Sequence, residues 1–296
     1  MNILITGGTG FIGRAVSRAL LDRKHHVTVL TRDEQRAEKL TQDVEFIESL
    51  DKLTASADVV INLAGESLGS ARWTRQTKAA FIASRVDTTA SLINYIERAQ
   101  PKPKVLLSGS AVGFYGACGD VVLDENAPAG DEYQSELCRA WELEALKAYT
   151  HGVRVCLLRM GLVLARHGGT LPGMLPAFKL GLGGHLGNGK QWISWVHIDD
   201  LVQSIGYLIG HPTLFGPFNI TAPYPQTNKA FANELSNALD KTAPFRIPAW
   251  AVRIRYGEMA RLFLTGQRVI PKNLLNADFQ FSHPTLKDAL REILKY

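Results

Sequence analysis

An apolar run, a glycine-rich turn and a helical pattern follow one another at the start of the chain. Residues 3–5 are apolar, four glycines lie within residues 7–13, and the helical pattern begins inside that segment. In this order Gly7 permits a tight turn, Gly10 lets the backbone approach a pyrophosphate, and Gly13 lets the helix pack closely on the strand. The helix N-terminus favours negative charge. The motif therefore predicts a dinucleotide site, with a purely structural glycine turn as the alternative.

Strand and helix patterns alternate along the first half of the chain. Continuous apolar strands separated by helical segments are typical of a parallel sheet covered on both faces, so we predict a Rossmann-type, doubly wound α/β fold. The predicted strands are 3–5, 27–30, 44–47, 58–63, 104–108 and 153–159. The predicted helices are 32–40, 74–99 and 131–149.

The pattern changes after Gly161, where glycine and leucine become frequent. We predict a dinucleotide-binding domain over 1–160 and a smaller, mostly helical substrate lobe over 161–195 and 222–296, with the chain returning to the sheet at about 196–221. In this half we predict a helix capped by Asp199 or Asp200 and ending near Ile209, a strand at 217–221, and helices at 227–239, 248–264 and 285–294.

Composition places the chain among ordinary globular proteins, with 46% hydrophobic and 21% charged residues. Cys118, Cys138 and Cys156 are scattered and form no Cys/His cluster, so we predict neither a metal site nor disulfides. No apolar run reaches membrane-spanning length, and no basic segment precedes the first one. We therefore expect a cytoplasmic protein without a membrane partner.

Positive charge is concentrated in the second half of the chain. Residues 160–296 contain 14 Lys or Arg but only 8 Asp or Glu. The basic residues form no run and do not alternate with aromatic ones, which disfavours nucleic-acid binding. A basic pocket for an anionic small molecule is the simpler interpretation.

Thr31 and Arg32 stand at the end of the second predicted strand, where an acid would bind the ribose hydroxyls of NAD. A guanidinium instead forms paired hydrogen bonds with phosphate, so Arg32 favours NADP over NAD. Alternatively, Arg32 is a solvated residue at a helix start. The small residues of segment 62–66 let the backbone pass close to an adenosine ribose, or simply form a turn.

Several motifs in this order resemble an extended short-chain dehydrogenase/reductase of the NAD-dependent epimerase/dehydratase family. The similar branch has mostly unassigned activities, an occasional label as cell-division inhibitor, and a C-terminal domain of unknown function. The motifs are 6–13, 62–65, Ser84-Arg85, 108–116, Trp141-Glu142, 181–197, 195–200 and 266–271. The glycine turn and the resemblance together imply these cofactor-binding residues: Gly7, Thr9, Gly10, Phe11, Ile12, Gly13, Thr31, Arg32, Leu63, Ala64, Gly65, Glu66, Arg85 and Ser108.

One departure from the superfamily pattern affects the mechanism. Its enzymes normally carry Tyr-x-x-x-Lys, in which the lysine lowers the tyrosine pKa so that the phenolate works near neutral pH. Here Tyr133 is the best-placed tyrosine, and Leu137 occupies the lysine position. The candidates for chemistry are therefore Ser110, Tyr115 and Tyr133. Ser110 could instead cap its own turn, and Tyr115 could pack under the cofactor.

Other residues keep open interpretations. Trp141 fits an apolar helix face, Glu142 is either a solvated charge or an acid of the site, and His197 favours a structural hydrogen bond. The glycine-rich segment 181–191 could bind an anion or cover the cleft, and Trp192 and Trp195 could line the pocket or pack as core. The arginines of segment 250–264 could face the cleft or a partner.

Three functions follow from these observations. The leading hypothesis is an NADP-binding oxidoreductase or epimerase-like enzyme that acts on an anionic small molecule without the Tyr/Lys pair. A catalytically silent NADP-binding sensor or regulator is the alternative, and a nucleotide-sugar epimerase of ordinary type is the third.

Overall fold

The computed structural model describes residues 1–32, 43–69 and 71–295, and its centre is a seven-stranded parallel sheet. The strands are β1 (Asn2–Thr6), β2 (His26–Leu30), β3 (Glu45–Ile47), β4 (Val59–Asn62), β5 (Val105–Ala111), β6 (Arg154–Met160) and β7 (Gly216–Ile220). Their spatial order is β7–β6–β5–β4–β1–β2–β3. The order reverses between β1 and β4, where open α/β sheets bind ligands at the carboxyl ends of their strands. The predicted doubly wound fold is confirmed.

Helices cover both faces of the sheet and form the second lobe. They are α1 (Phe11–Asp22), α2 (Arg75–Ile82), α3 (Thr88–Arg98), α4 (Tyr133–Leu146), α5 (Leu171–Lys179), α6 (Ile198–Gly210), α7 (Asn228–Asn237), α8 (Ala249–Tyr256), α9 (Arg261–Leu264), α10 (Lys272–Asn276) and α11 (Leu286–Leu294). In the described part of the chain, no helix combines the length and apolar character needed to cross a bilayer.

Alternate side chains of each strand enter two separate cores. In β1, Ile3 and Ile5 pack with side chains of α1 and α6, whereas Leu4 packs with those of α3 and α4. Successive strand residues point to opposite faces, so a strand covered on both sides must be apolar throughout. This requirement explains the uninterrupted apolar runs of the sequence.

Several predicted elements differ from those observed. The predicted helix 74–99 is divided into α2 and α3 by a π-helical turn at Ala83–Asp87. The predicted cap of α6 was wrong, because His197 is the cap and its Nδ1 accepts the Asp199 N–H over 3.1 Å. Apart from Arg32, the predicted helix 32–40 lies outside the described residues.

The second lobe has its own core, in which Trp195 packs with side chains of α5, α7 and α11. It also contains short strand pairs that the prediction of a mostly helical lobe omitted, such as Trp195–His197 parallel to Leu162–Leu164. Residues 268–279 return to the sheet, since Leu274 and Phe279 belong to the core beneath α1 and α6.

Candidate functional site

The glycine turn lies at the sheet switch point and is pressed against the turn after β4. Gly7 has φ +70, and a Cβ there would lie 2.4 Å from the Leu63 carbonyl oxygen. A Cβ on Gly13 would lie 2.2 Å from the Gly7 oxygen. Gly10 is the N-cap of α1 and supplies no side-chain hydrogen bond, so the first backbone N–H groups of the helix remain able to donate to an anion.

The other predicted cofactor residues of this turn surround the helix start. Thr9, Phe11 and Ile12 are partly exposed there, and the Phe11 ring lies against Gly168 and Gly169 of the loop after Leu162–Leu164. A loop of the second lobe therefore borders the predicted phosphate position.

A buried hydrogen-bond network ties together the strand ends below the turn. Thr6 Oγ1 donates to Asn62 Oδ1 over 2.7 Å, and Asn62 Nδ2 donates to Thr89 Oγ1 at 2.8 Å and Ser108 Oγ at 3.3 Å. Ser108 is fully buried, so its hydroxyl holds β5 beside β4 rather than facing the cleft. Its predicted contribution to cofactor binding is therefore one of positioning.

The loop after β4 is held by side chains of the π-helical turn. Ser84 Oγ accepts the Glu66 N–H over 3.1 Å, and Arg85 Nη2 donates to the Glu66 carbonyl oxygen over 2.9 Å. The Arg85 guanidinium lies so close that a Cβ on Gly65 would be 2.9 Å from its Cζ. Arg85 therefore supports loop 63–66 at Gly65 and at the Glu66 backbone, the two residues that follow Ala64.

Arg32 and Glu66 meet at the outer end of this loop. Arg32 Nη1 lies 3.7 Å from Glu66 Oε1, and the side chains are 91% and 40% exposed. Thr31 continues from β2 and its N–H donates to the Ile47 carbonyl oxygen over 2.9 Å. The residue predicted to bind a phosphate thus already has an acid beside it.

Ser110 is the second-to-last residue of β5, and its hydroxyl is bound to a buried ion pair. Its Oγ donates to Glu142 Oε1 over 2.6 Å, and Glu142 accepts from Arg159 Nε and Nη2, each over 2.9 Å. All three residues are at most 5% exposed. The Ser110 proton is therefore directed at Glu142, and its oxygen lone pairs remain available as acceptors.

Tyr115 belongs to the same network. Its hydroxyl donates to Asn219 Oδ1 over 2.6 Å and accepts from Arg159 Nη1 over 3.1 Å. Burial raises the pKa of Tyr115 to about 12, even though Arg159 opposes this shift. A buried phenol with both hydrogen-bonding roles filled fits a structural contact better than a proton donor to a ligand.

Glu125 adds a second buried acid to this region. Its Oε1 accepts the N–H groups of Asn219 at 3.0 Å and Asn273 at 3.2 Å, whereas its Oε2 has no partner. Burial raises the pKa of the Glu125 carboxyl. Neither Glu125 nor Arg159 is predicted from the sequence as a site residue, although an arginine at the end of the apolar run 153–159 is a usable signal.

Tyr133 lies in an apolar cluster with Leu137. Its hydroxyl donates to the Lys78 carbonyl oxygen over 3.1 Å, and the Lys78 ammonium lies 4.6 Å from its ring centre. Both oxygens of Glu258 accept from that ammonium, at 2.7 and 2.8 Å. Burial raises the pKa of Tyr133 although the Arg85 charge lowers it, so this tyrosine is not activated as a base.

A cavity of about 630 Å³ opens beside the start of α4. It lies under α8 and α9, and charged side chains of both signs face it. Its lining residues are Glu132, Arg253, Gly257, Glu258, Ala260, Arg261, Leu264 and Thr265. Arg261 lies 3.9 Å from Glu132, and Glu258 is bound to Lys78. Among the described residues Arg253 has no carboxylate within ion-pair distance.

His197, Asp199 and His283 form a cluster with ligand atoms within 4.8 Å of one another. The two imidazole centres are 4.0 Å apart. However, the lone pair of His197 Nδ1 accepts the Asp199 N–H that begins α6, so its neutral ring carries its proton on Nε2. Metal coordination through Nδ1 would displace this helix cap, and the capping arrangement fits the structural role predicted for His197.

The tryptophans and the glycine-rich segment have separate surroundings. Trp195 is fully buried in the second lobe, whereas Trp192 donates to Asp120 over 2.7 Å and lies under the Arg268 guanidinium. Trp141 is buried against Gly109, with Arg85 over its ring. Residues Gly184–Leu186 pair with Phe245–Ile247, which holds the glycine-rich segment against the C-terminal part.

Comparison with known families matches two segments of the chain. Residues 3–221 match the NAD dependent epimerase/dehydratase family, and residues 247–293 match a domain of unknown function, DUF1731. The chain is 37% identical to the epimerase family protein SDR39U1 homolog of Arabidopsis thaliana, covering all of this chain and 87% of that protein. It is 33% identical to the epimerase family protein YfhF of Bacillus subtilis, over 99% and 98% of the two chains.

Solved structures have the same architecture. The human epimerase family protein SDR39U1 with NADPH has a TM-score of 0.89 and 33% identity, covering 99% of both chains. A UDP-glucuronic acid 4-epimerase from Bacillus cereus, in complex with UDP-glucuronic acid and NAD, has a TM-score of 0.78. Its identity is 16%, over 99% and 98% of the two chains, so this likeness concerns the fold alone.

Proposed function

Because the chain belongs to the NAD dependent epimerase/dehydratase family, we propose that it is an NADP-dependent oxidoreductase or epimerase-like enzyme for an anionic small molecule. The observation that carries this proposal is the open N-terminus of α1 behind Gly7 and Gly13. At either glycine a Cβ would collide with backbone, so glycine alone permits this tight turn and the close packing of α1, whose uncapped N-terminus at Gly10 can then approach a pyrophosphate. The NADPH-bound human relative supports the same cofactor class.

The residues around the turn would hold the two ends of the dinucleotide. The first N–H groups of α1 would bind the pyrophosphate, and Arg32 would bind the 2′-phosphate through its exposed guanidinium. Loop 63–66 would support the adenosine, with Arg85 and Ser84 fixing its backbone. When bound, the nicotinamide would supply or accept a hydride.

The cavity below α8 and α9 would receive the anionic part of the substrate. Glu258 is already bound to Lys78 and Glu132 pairs with Arg261, so among the described lining residues the Arg253 guanidinium has no carboxylate partner. The cavity volume lies in the usual range for small-molecule sites. An anion that binds there would lie near the start of α4, on the side of Tyr133.

Proton transfer would depend on a group other than the usual phenolate. Leu137 supplies no charge, and burial raises the pKa of both Tyr133 and Tyr115. Ser110 stands at the carboxyl end of β5 and would accept a hydrogen bond from a substrate hydroxyl while donating to Glu142. This arrangement favours binding and orientation of an alcohol group over direct deprotonation by tyrosine.

A catalytically silent NADP-binding sensor is the second candidate. The observation in its favour is that the hydroxyl protons of Ser110 and Tyr115 are both already donated within a buried network that contains Glu142 and Arg159. In a sensor these contacts would be structural, and cofactor binding alone would change the stability of the protein.

Two measurements test the proposal. NADPH at millimolar concentration should raise the melting temperature, and absence of a shift with both NADPH and NADH would contradict cofactor binding. Oxidation of bound NADPH should then be measured with paired carbonyl compounds, one carrying a carboxylate and one neutral. We expect turnover to favour the charged member and to fall at least tenfold in Ser110→Ala.

Arginine variants test the anion site within the same assay. Arg253→Gln should reduce the advantage of the charged compound, because it removes a cavity guanidinium. Arg255→Gln is the matched control, since that side chain lies over the Tyr256 ring and does not line the cavity. Cofactor binding without any turnover, or turnover insensitive to Ser110→Ala, would favour the sensor.

A further inference from the structure

We propose that Glu66 limits the preference of this chain for NADP over NAD by competing with the 2′-phosphate for Arg32. The inference rests on the proposed cofactor binding and deepens it. It concerns the relative affinity for NADP and NAD. The sequence predicts that Arg32 and Glu66 both lie at the cofactor, but it does not predict that they act in opposite directions.

The first observation is the position of the acid. Glu66 Oε1 lies 3.7 Å from Arg32 Nη1, the guanidinium at the end of β2 that faces the adenosine ribose in this fold. The Arg32 side chain is 91% exposed. Among the described residues, Glu66 is the acid that lies within ion-pair distance of it. A phosphate that binds Arg32 must enter within a few ångströms of this carboxylate.

The second observation is that the backbone of Glu66 is fixed. Ser84 Oγ accepts its N–H at 3.1 Å, and Arg85 Nη2 donates to its carbonyl oxygen at 2.9 Å. Both partners come from one π-helical turn, a local geometry that is frequent at functional sites. These contacts hold the backbone of Glu66 in place, so an approaching phosphate would displace its side chain rather than the loop.

The two side chains suit different cofactors. A 2′-phosphate carries nearly two negative charges, which Arg32 attracts and Glu66 repels. A 2′-hydroxyl can donate a hydrogen bond to a carboxylate, the interaction by which an acid at the ribose favours NAD. With both residues present, discrimination between the cofactors is reduced, and Glu66 is the residue that reduces it.

Dissociation constants for NADPH and NADH provide the test. In Glu66→Gln, NADPH should bind about two- to fivefold more tightly and NADH should bind no better, as expected for removal of one partly exposed charge. Arg32→Gln should weaken NADPH binding more than NADH binding. Glu136→Gln, which removes an exposed acid on α4, is the matched control and should leave the ratio of the two constants unchanged.

The double variant Arg32→Gln/Glu66→Gln separates competition from general repulsion. If Glu66 acts through Arg32, Glu66→Gln should improve NADPH binding much less in the absence of Arg32. An unchanged ratio in Glu66→Gln, or an equal gain with and without Arg32, overturns the inference while leaving the proposed cofactor binding intact. Failure of the wild type to bind either cofactor would instead overturn the proposed function, and this inference with it.

Discussion

The Ser110 hydroxyl donates its proton to the Glu142 carboxylate over 2.6 Å, and both side chains are buried at the carboxyl end of β5. Glu142 is held in turn by two hydrogen bonds from Arg159. The relationship fixes the direction in which the Ser110 hydroxyl points before any ligand binds. It also makes the integrity of the site depend on a buried ion pair that connects α4 with β6.

Loss of one member of this ion pair should be strongly destabilising. Glu142→Ala leaves the buried Arg159 guanidinium without its partner, and such a change typically costs about 3–5 kcal/mol of unfolding free energy. Urea denaturation measures it. The control is Asp22→Asn, which breaks the exposed Arg18–Asp22 pair and should cost about 0.5 kcal/mol or less. A loss below about 1 kcal/mol for Glu142→Ala would contradict the buried pairing.

Tyr115 should lose its proton at a higher pH than an exposed tyrosine. Burial raises its pKa to about 12, so a spectrophotometric titration of phenolate should contain a step near pH 12 that Tyr115→Phe removes. Tyr224→Phe removes an exposed tyrosine and should leave that step in place. Since the unfolded tyrosine pKa is about 10, this burial stabilises the fold below pH 10, and the benefit disappears as the pH rises toward 12.

The buried cap of α6 should make stability sensitive to mild acid. Burial and the adjacent His283 lower the pKa of His197, so the folded protein binds a proton there less readily than the unfolded chain does. The stabilisation is complete above the unfolded pKa of about 6.5 and is lost as the pH falls through the lower folded value. The urea concentration at the unfolding midpoint should therefore be lower at about pH 5.5 than at about pH 7.5, two values that bracket the reference pKa of about 6.5.

A variant that keeps the cap can isolate this effect. Asn also caps helix N-termini, so His197→Asn should retain α6 while reducing the acid sensitivity. His211→Gln changes an exposed histidine at the other end of α6 and should behave as the wild type does. Equal acid sensitivity of His197→Asn and wild type would contradict the assignment to His197.

The close contact inside the glycine turn should be essential for cofactor binding. In Gly13→Ala the new methyl group would lie 2.2 Å from the Gly7 oxygen, so the turn must move away from α1. We expect at least a hundredfold loss of NADPH affinity. Gly173→Ala in α5 is the control, because a Cβ there meets open space and alanine favours helix by up to about 1 kcal/mol. Normal NADPH binding by Gly13→Ala would contradict the geometry of the turn.

Structural features that depend on a few neighbouring residues could be predicted from the sequence. The glycine turn, the apolar strands and the alternation of strands and helices each depend on neighbouring residues, and the predicted sheet agrees with the observed one. Arg32 could likewise be placed at the end of β2 by counting from the turn. Its pairing with Glu66 could not, because that contact depends on how the loop after β4 is held by the π-helical turn.

The surroundings of Ser110 required the tertiary structure. Glu142 and Arg159 come from a helix and a strand whose registers only the folded sheet defines, so the sequence left Glu142 open between surface and site. The cap of α6 shows a similar limit. Aspartate is a common capping residue, but the N-cap of α6 is His197 rather than Asp199 or Asp200. Asp200 instead accepts the N–H groups of Ser282 and His283.

The return of residues 268–279 to the sheet has a consequence for biosynthesis. All seven strands precede residue 221, yet Leu274 and Phe279 fill the core beside β7, and Asn273 bonds to Pro217 and Glu125. A chain still emerging from the ribosome therefore contains every strand of the central sheet before it contains the side chains that close the core of that sheet. The core of the nucleotide-binding half can therefore be completed only after residues 268–279 have been translated, although these residues lie beyond the family match at residues 3–221.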